Sequence, residues 1–451
     1  MNIDSLDPNI FAGADRKAWL KLVERALKGK DFREALGSQT DDGIPIEPLY
    51  ERRSDCAPLS RREAAMPWTV TQRMDDTDIG RALAQLDDDL GNGASGICIV
   101  SNTSASAFGT GIDAETPALT DKLAAAISGK NITLRLDGFS PGFAESLTAS
   151  FGDDLPFPTL HFGIDAVSRG DQSAATANDI RHLLDKGFAG TIVNADGRAV
   201  HNAGGTEAQE LAVMAASLAG HLRLLDEAGL SPEAVLAATS LCLSADQNQF
   251  TTMAKVRAAR LIFSRIAEAC GVSDPKPAHI FIETSYRMLT TLDPETNTLR
   301  NTIAVFAAGT GGADEIAVLP HSLTHGIPDP LARRLARNTQ TILIAESHLD
   351  HVADPAAGAG GIEALTDALA EKAWEIFTGI ERDGGLANVI ASGQLAAMVA
   401  EARASRIAKP IVGTTLFAMK TERPVTFLGP SGPLVGGMGL MPMRLDEGVG
   451  A

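Results

Sequence analysis

From about Gly93 onward, short apolar or β-branched runs alternate with long alanine- and leucine-rich stretches, and this alternation constrains the fold more than any other feature. Strand-length runs separated by segments long enough to hold a crossover helix build a parallel sheet with its helices outside. The runs are Gly96 to Ser101, Asn131 to Asp137, Thr159 to Ile164, Gly190 to Asn194, Ala238 to Ser244, His279 to Glu283 and Asp314 to Leu319. Helices such as Thr251 to Cys270 and Leu331 to Ser347 lie between or after them. Seven runs suit a barrel nearly as well as an open doubly wound sheet. The length between strands tips the reading toward an α/β fold of the (β/α)8 TIM-barrel type, whose eighth strand periodicity does not resolve.

The chain has 451 residues, 44 % of them apolar, which allows one large core with substantial appendages. Residues 1–66 read as an N-terminal arm, with an amphipathic helix around Lys17 to Leu27 and a loop-like stretch from Gly37 to Tyr50. Residues 67–405 read as the barrel. Residues 406–451 crowd Pro430, Gly432, Pro433, Gly436, Gly437 and Gly439 together and match a surface extension or linker with too little apolar surface to fold alone.

Charge narrows the function classes. A formal net charge of −18 argues against nucleic acid and tends to repel any anionic ligand unless a local basic patch intervenes. Six aspartates and one arginine between Asp75 and Asp89 read as a solvated helix face, with a docking surface as the alternative. No stretch is apolar enough to span a membrane, and Met1 to Ala14 carries Asp4 and Asp7 where a secretion signal has basic and then apolar residues, so the chain is expected in the cytoplasm. Cys56, Cys98, Cys242 and Cys270 lie far apart and read as buried free thiols, with neither zinc nor disulfide spacing.

Local motifs point to little chemistry. Gly309-Thr310-Gly311-Gly312 precedes a strand, where a phosphate loop follows one. Gly358-Ala359-Gly360-Gly361 leads into the helix Ile362 to Ile380 and reads as a glycine turn, with anion binding as the alternative. His348 and His351 have Asp350 and Asp354 nearby but no third ligand at a fixed spacing, so no metal site is expected. Lys255, Arg257, Arg260 and Arg265 concentrate positive charge on one helix and read either as surface ion pairs or as an anion site.

Several collinear stretches resemble the methylmalonyl-CoA mutase family, and its small subunit in particular. Ser38 to Tyr50 is similar to the family's arm, and Pro67-Trp68-Thr69-Val70-Thr71-Gln72-Arg73 to its P-W-T-I-R-Q-Y lead into the barrel. Further matches are Ala203 to Thr206, Ala254 to Arg260, Asn297 to Arg300, Asp314 to Pro320, Ala336 to Gln340, Asp354-Pro355 and Glu371 to Trp374. The likeness runs from about residue 15 to 415. It implies a barrel that wraps a CoA ester along its axis, an arm packed on a partner subunit, and adenosylcobalamin as cofactor of the assembled enzyme.

The departures from the family pattern imply as much. Arg73 and Thr71 stand where catalytic members carry the tyrosine that aids cofactor homolysis and a substrate arginine. Ala199 fills the place of the substrate histidine, and His201 is displaced from it by two residues. The stretch facing the corrin, H-T-Q-T-S in the family, reads Phe281-Ile282-Glu283-Thr284-Ser285. Of the groups near the adenosyl moiety only the acid Glu315 remains, with Gly311 in place of an asparagine. The D-x-H-x-x-G cobalt-ligand motif does not occur in the chain.

The resemblance therefore implies a non-catalytic subunit, with no catalytic or metal-binding residue of its own, stabilising a catalytic large subunit in a heterodimer that interconverts (R)-methylmalonyl-CoA and succinyl-CoA. Two alternatives stand beside it: the barrel half of a split mutase completed by a separate cobalamin-binding chain, and a CoA-ester binding protein without mutase activity. In the last, Lys255, Arg257 and Arg260 would have to face the barrel mouth as the substrate-binding groups.

Overall fold

A computed structural model describes residues 15–151 and 159–447. Met1 to Ala14, on which the reading of a missing secretion signal rests, lie outside the described residues. In the arm, a short ribbon pairs β1 (Ser38–Gln39) with β2 (Pro45–Ile46). Eight parallel strands then close a barrel: β3 (Thr69–Met74), β4 (Gly96–Val100), β5 (Thr133–Asp137), β6 (Thr159–Ile164), β7 (Gly190–Asp196), β8 (Thr239–Ala245), β9 (His279–Thr284) and β10 (Glu315–Ala317).

All seven runs become strands, and Thr69–Met74 is the eighth. It seals the barrel between β10 and β4, with Ala317 beside Thr71 and Met74 beside Ile99. Its hydrophobic alternation is hidden because the lumen-facing residues are Thr71 and Arg73, which satisfy each other's side of the barrel through polar partners instead of apolar packing. Trp68, only 1 % exposed, anchors this strand from outside by donating from Nε1 to Gln340 Oε1 at 3.0 Å. The ring lies against Gly309, where a Cβ would sit 2.7 Å from it, so that glycine makes room for an indole at a helix end.

Outside the strands, the helix Glu207–Glu227 opens with a reciprocal cap between Thr206 and Gln209 and is buried on almost every face. It packs against Gln249–Ala269 and Gly360–Arg382, which accounts for its apolar and small residues all round. The second glycine cluster lies under the arm: Arg53 N donates to Gly358 O at 3.1 Å, and Gly360 abuts the Glu51 carbonyl. No room for an anion is left at that helix start.

Two readings are corrected here. The aspartate run is only half solvated: Asp78, Asp87 and Asp88 are exposed, whereas Asp75, Asp76 and Asp89 are buried against Arg73 and Arg333, Arg81, and Arg337. Of the thiols, Cys98 and Cys242 are buried, Cys56 is half-buried and Cys270 is exposed; all four are free.

The C-terminal segment lies as a strap over the barrel mouth. Gly432 N donates to Gly109 O at 2.6 Å, Met443 N to Asn202 O at 2.8 Å, and Leu445 N to Arg287 O at 3.0 Å. Loop carbonyls of the barrel thus supply the acceptors that the strap cannot supply for its own amides. Among the described residues, no helix is long and apolar enough to cross a membrane.

One contact that barrel closure depends on is open to test. Gly190 starts β7 at φ +122°, and a Cβ there would overlap the Leu160 carbonyl of β6. Gly187, at φ +69°, has open space around it. Gly190→Ala is expected to cost more than about 2 kcal/mol and Gly187→Ala about 1 kcal/mol in urea unfolding. Equal losses would refute the role assigned to Gly190.

Candidate functional site

The loops that follow β4 to β7, at the C-terminal face of the barrel, surround a cavity of about 520 Å³ roofed by Gly436 to Gly439 of the strap. This is the face on which TIM-barrel sites are assembled. Asp137 ends β5, Asn194 and Asp196 end β7, and Arg198 begins the short helix Arg198–Asn202; all four line the cavity together with Ala199. Arg198 is the local hub. Its Nη2 lies 2.9 Å from Asp137 Oδ2 and 2.5 Å from Asp196 Oδ2, and its Nη1 lies 3.6 Å from Glu283 Oε2.

Beneath the cavity the lumen is crossed by ion pairs. Arg135 of β5 reaches Glu315 of β10 through Nε at 2.9 Å and Nη2 at 2.7 Å, and also donates to Ser240 Oγ of β8 at 3.1 Å. None of these strands is adjacent to β5, so the side chain spans the interior. Thr71 Oγ1 donates to the second oxygen of Glu315 at 2.9 Å. One level higher, Arg73 binds Glu283 of β9 and Asp75, the latter at 2.9 Å. The Phe281 ring fills the gap between the levels, 4.2 Å from the Arg135 guanidinium and 5.3 Å from that of Arg198.

Burial wins at Glu283, whose carboxyl is raised despite Arg73 and Arg198, but at Glu315 and Asp75 the partners dominate. Arg135 and a hydrogen bond from His279 hold Glu315 well below the usual carboxylate range, and Arg333 and Arg73 do the same for Asp75. Burial and the neighbouring His279 push His161 well down, so its ring is neutral.

Glu315, expected near a cofactor, sits wholly buried in this network. With His161 and His279 it forms a set of the kind that holds metals. The hydrogen bonds argue otherwise: Arg61 Nη1 lies 3.3 Å from His279 Nδ1, which makes that nitrogen an acceptor and leaves Nε2–H to donate to Glu315 at 3.2 Å. The lone pair a metal would need is then taken by a proton. His348 and His351 stack at 4.7 Å and gather no third ligand among the described residues.

Lys255, Arg257 and Arg260 do not line the cavity. They are buried between outer helices, Lys255 against Glu207 and Glu210, Arg257 against Asp354 and Glu363, and Arg260 against Asp314 at 3.0 Å and two backbone carbonyls. His201 is also buried, with Nε2 2.8 Å from Ser285 Oγ. Ala199 does face the cavity, and Arg73 lies beneath it. Arg135 and Arg198 went unmarked by sequence reasoning, although an arginine within the strand run Thr-Leu-Arg-Leu-Asp is itself a sign of a partnered charge inside a barrel.

Comparison with known proteins places this architecture. The methylmalonyl-CoA mutase family model matches residues 186–428. The chain is 34 % identical to the methylmalonyl-CoA mutase small subunit of Streptomyces virginiae, over 92 % of this chain and 72 % of that one. It is 41 % identical to a probable methylmalonyl-CoA mutase small subunit of Mycobacterium tuberculosis, over 58 % of this chain and 41 % of that one. With the small subunit of Propionibacterium freudenreichii it shares 34 % identity, over 54 % of this chain and 40 % of the relative, so these two matches span about two-fifths of the relatives' length. The chain belongs to the methylmalonyl-CoA mutase family and is of its small-subunit type.

Proposed function

We propose that this chain is the non-catalytic small subunit of a heterodimeric, adenosylcobalamin-dependent methylmalonyl-CoA mutase, and that it stabilises a catalytic large subunit that interconverts (R)-methylmalonyl-CoA and succinyl-CoA. The observation that carries this reading is the filled lumen. A barrel that wraps a CoA ester needs an open axis, and here Arg135–Glu315 and Arg73–Glu283 span it at two levels. The basic residues that would have received an anionic ester are neutralised by internal acids.

The described residues do not fit adenosylcobalamin. No histidine lines the mouth cavity, His201 is sealed against Ser285, and the strap covers the face on which a corrin would lie. No step of the radical reaction is assigned to this chain. In the small-subunit reading, the surface offers a partner something else. Leu299 and Ile303 share a groove with Pro410, Ile411 and Val412, and Phe417, beyond the same turn, is 82 % exposed. Exposed apolar groups concentrated in this way mark interaction faces.

Co-expression with a catalytic large subunit is expected to give a complex on size exclusion, and the double variant Leu299→Asp, Phe417→Asp is expected to weaken it at least about tenfold without lowering the melting temperature. Failure to form any complex would sink the subunit reading. The isolated chain, mixed with a cobalamin-binding chain and adenosylcobalamin, is expected to show no turnover; cofactor-dependent activity would favour a split mutase instead.

The network that closes the lumen also predicts a pH response. Glu315, Asp75 and Asp137 have pKa values below those of the unfolded chain. Their contribution is complete above about pH 5 and is lost as pH falls through the unfolded values toward the lower folded ones. Arg135→Met leaves Glu315 buried without its guanidinium and is expected to destabilise by roughly 3–5 kcal/mol at pH 7. The loss is expected to shrink at about pH 4, where the orphaned carboxyl takes up a proton. Urea midpoints at the two pH values check this, and a pH-independent loss would contradict the assigned pairing.

A further inference from the structure

We propose that the mouth cavity binds a small zwitterion, an amino-acid-like molecule whose ammonium meets Asp165 and whose carboxylate meets Arg169. This goes beyond the subunit reading and does not rest on it.

The inference starts from which charges around the cavity remain unanswered. Asp137 and Asp196 each have a cationic partner, because both pair with the same Arg198 guanidinium. Asp165 is not so served. Its Oδ1 accepts from Ser168 N at 3.0 Å and Ser217 Oγ at 3.3 Å, and among the described residues no lysine or arginine forms an ion pair with it. The basic side chain beside it is His221, with Nε2 at 3.8 Å, and burial pushes that imidazole down to about 4, which leaves it neutral at physiological pH, while the nearby Asp196 adds a like charge. Burial raises Asp165 itself to about 7, the behaviour of a carboxyl that lacks a counter-ion.

Arg169 is its complement. Nη1 donates to the carbonyls of Gly138 and Phe139 at 3.1 and 3.3 Å, which fixes the guanidinium plane at the cavity rim. No carboxylate among the described residues pairs with it, so the rest of the fork is available. Such a pre-set fork is suited to a carboxylate. Both residues belong to the loop after β6, in which Arg169 N donates to Asp165 O at 3.3 Å, and both line the same space.

About 520 Å³ is within the range of small-molecule sites. The balance of groups selects the class: a purely anionic ligand would meet Asp165 unpaired, and a purely cationic one would leave Arg169 unused. A ligand carrying both charges answers each group with its opposite.

Calorimetric titration of the full chain with the series from glycine through β-alanine and 4-aminobutyrate to 6-aminohexanoate tests this, with the matching alkyl carboxylates and alkylamines as controls. At least one ω-amino acid is expected to bind saturably, and loss of either charged end is expected to weaken it by about tenfold or more. Arg169→Gln, at an exposed position, and Asp165→Asn are each expected to reduce that affinity to the level of the matching truncated ligand, with folding checked by thermal melts. Absence of saturable binding up to about 10 mM overturns the proposal. So does equal binding of the carboxylate and the ω-amino acid, or undiminished binding by both variants. Complex formation with a large subunit is measured separately, so either idea can fail without the other.

Discussion

A guanidinium cannot be left alone inside a parallel barrel, and Arg135 and Arg73 place two of them there. Removing such a charge from water costs several kcal/mol unless a carboxylate and further hydrogen bonds replace the lost solvation. Each arginine therefore commits specific partners: Glu315 and Ser240 for Arg135, and Glu283, Asp75 and the Ser106 carbonyl for Arg73. Barrels of this kind ordinarily fill their lumen with layers of branched aliphatic side chains. Here the apolar share is reduced to a small group containing Cys98, Val100, Cys242, Phe281 and Ala317, packed around the ion pairs. The axis is occupied, and chemistry or recognition is confined to the mouth and the outer surface.

The same economy of paired charges extends to the outer layer. Arg257 ties the helix Gln249–Ala269 to Asp354 and Glu363, and Asp354 also accepts from Leu59 N at 2.7 Å, which fastens the arm to the barrel. Arg62 adds bonds to the carbonyls of Gly309 and Ala313. The arm is thus held by polar contacts at its barrel end, while its first helix, Arg16–Leu27, buries none of its residues within this chain. Cations employed inside in this manner, Lys255, Arg257 and Arg260 among them, are not available to a basic outer face.

The legible part of the fold was the part driven by apolar periodicity. Strands such as Gly-Ile-Cys-Ile-Val announce themselves because both faces are buried. Thr69–Met74 does not, because its inward residues are Thr71 and Arg73, and a strand that packs through hydrogen bonds carries no hydrophobic signature. Lys255, Arg257 and Arg260 were visible as a cluster, but their partners come from distant segments, and a charge count cannot show whether a cation faces solvent or an acid. The strap was read from its glycines and prolines as an extension, since nothing local reveals that its amides bond to barrel loops. Asp165 and Arg169 formed no motif; only the fold shows that their neighbours leave them unpaired.

Ala199 and the strap explain each other. Gly437 passes so close over the mouth that a Cβ on it would stand 2.7 Å from Ala105 Cβ and 3.4 Å from Ala199 Cβ. An imidazole at position 199 would occupy the path that the strap takes, so a side chain of that size there and the strap as it lies here exclude one another. The strap in turn gains its hold from the backbone carbonyls of Asn202, Arg287 and Gly109. The small side chain of Ala199, the filled axis and the strap across the mouth are therefore mutually supporting features of one packed structure.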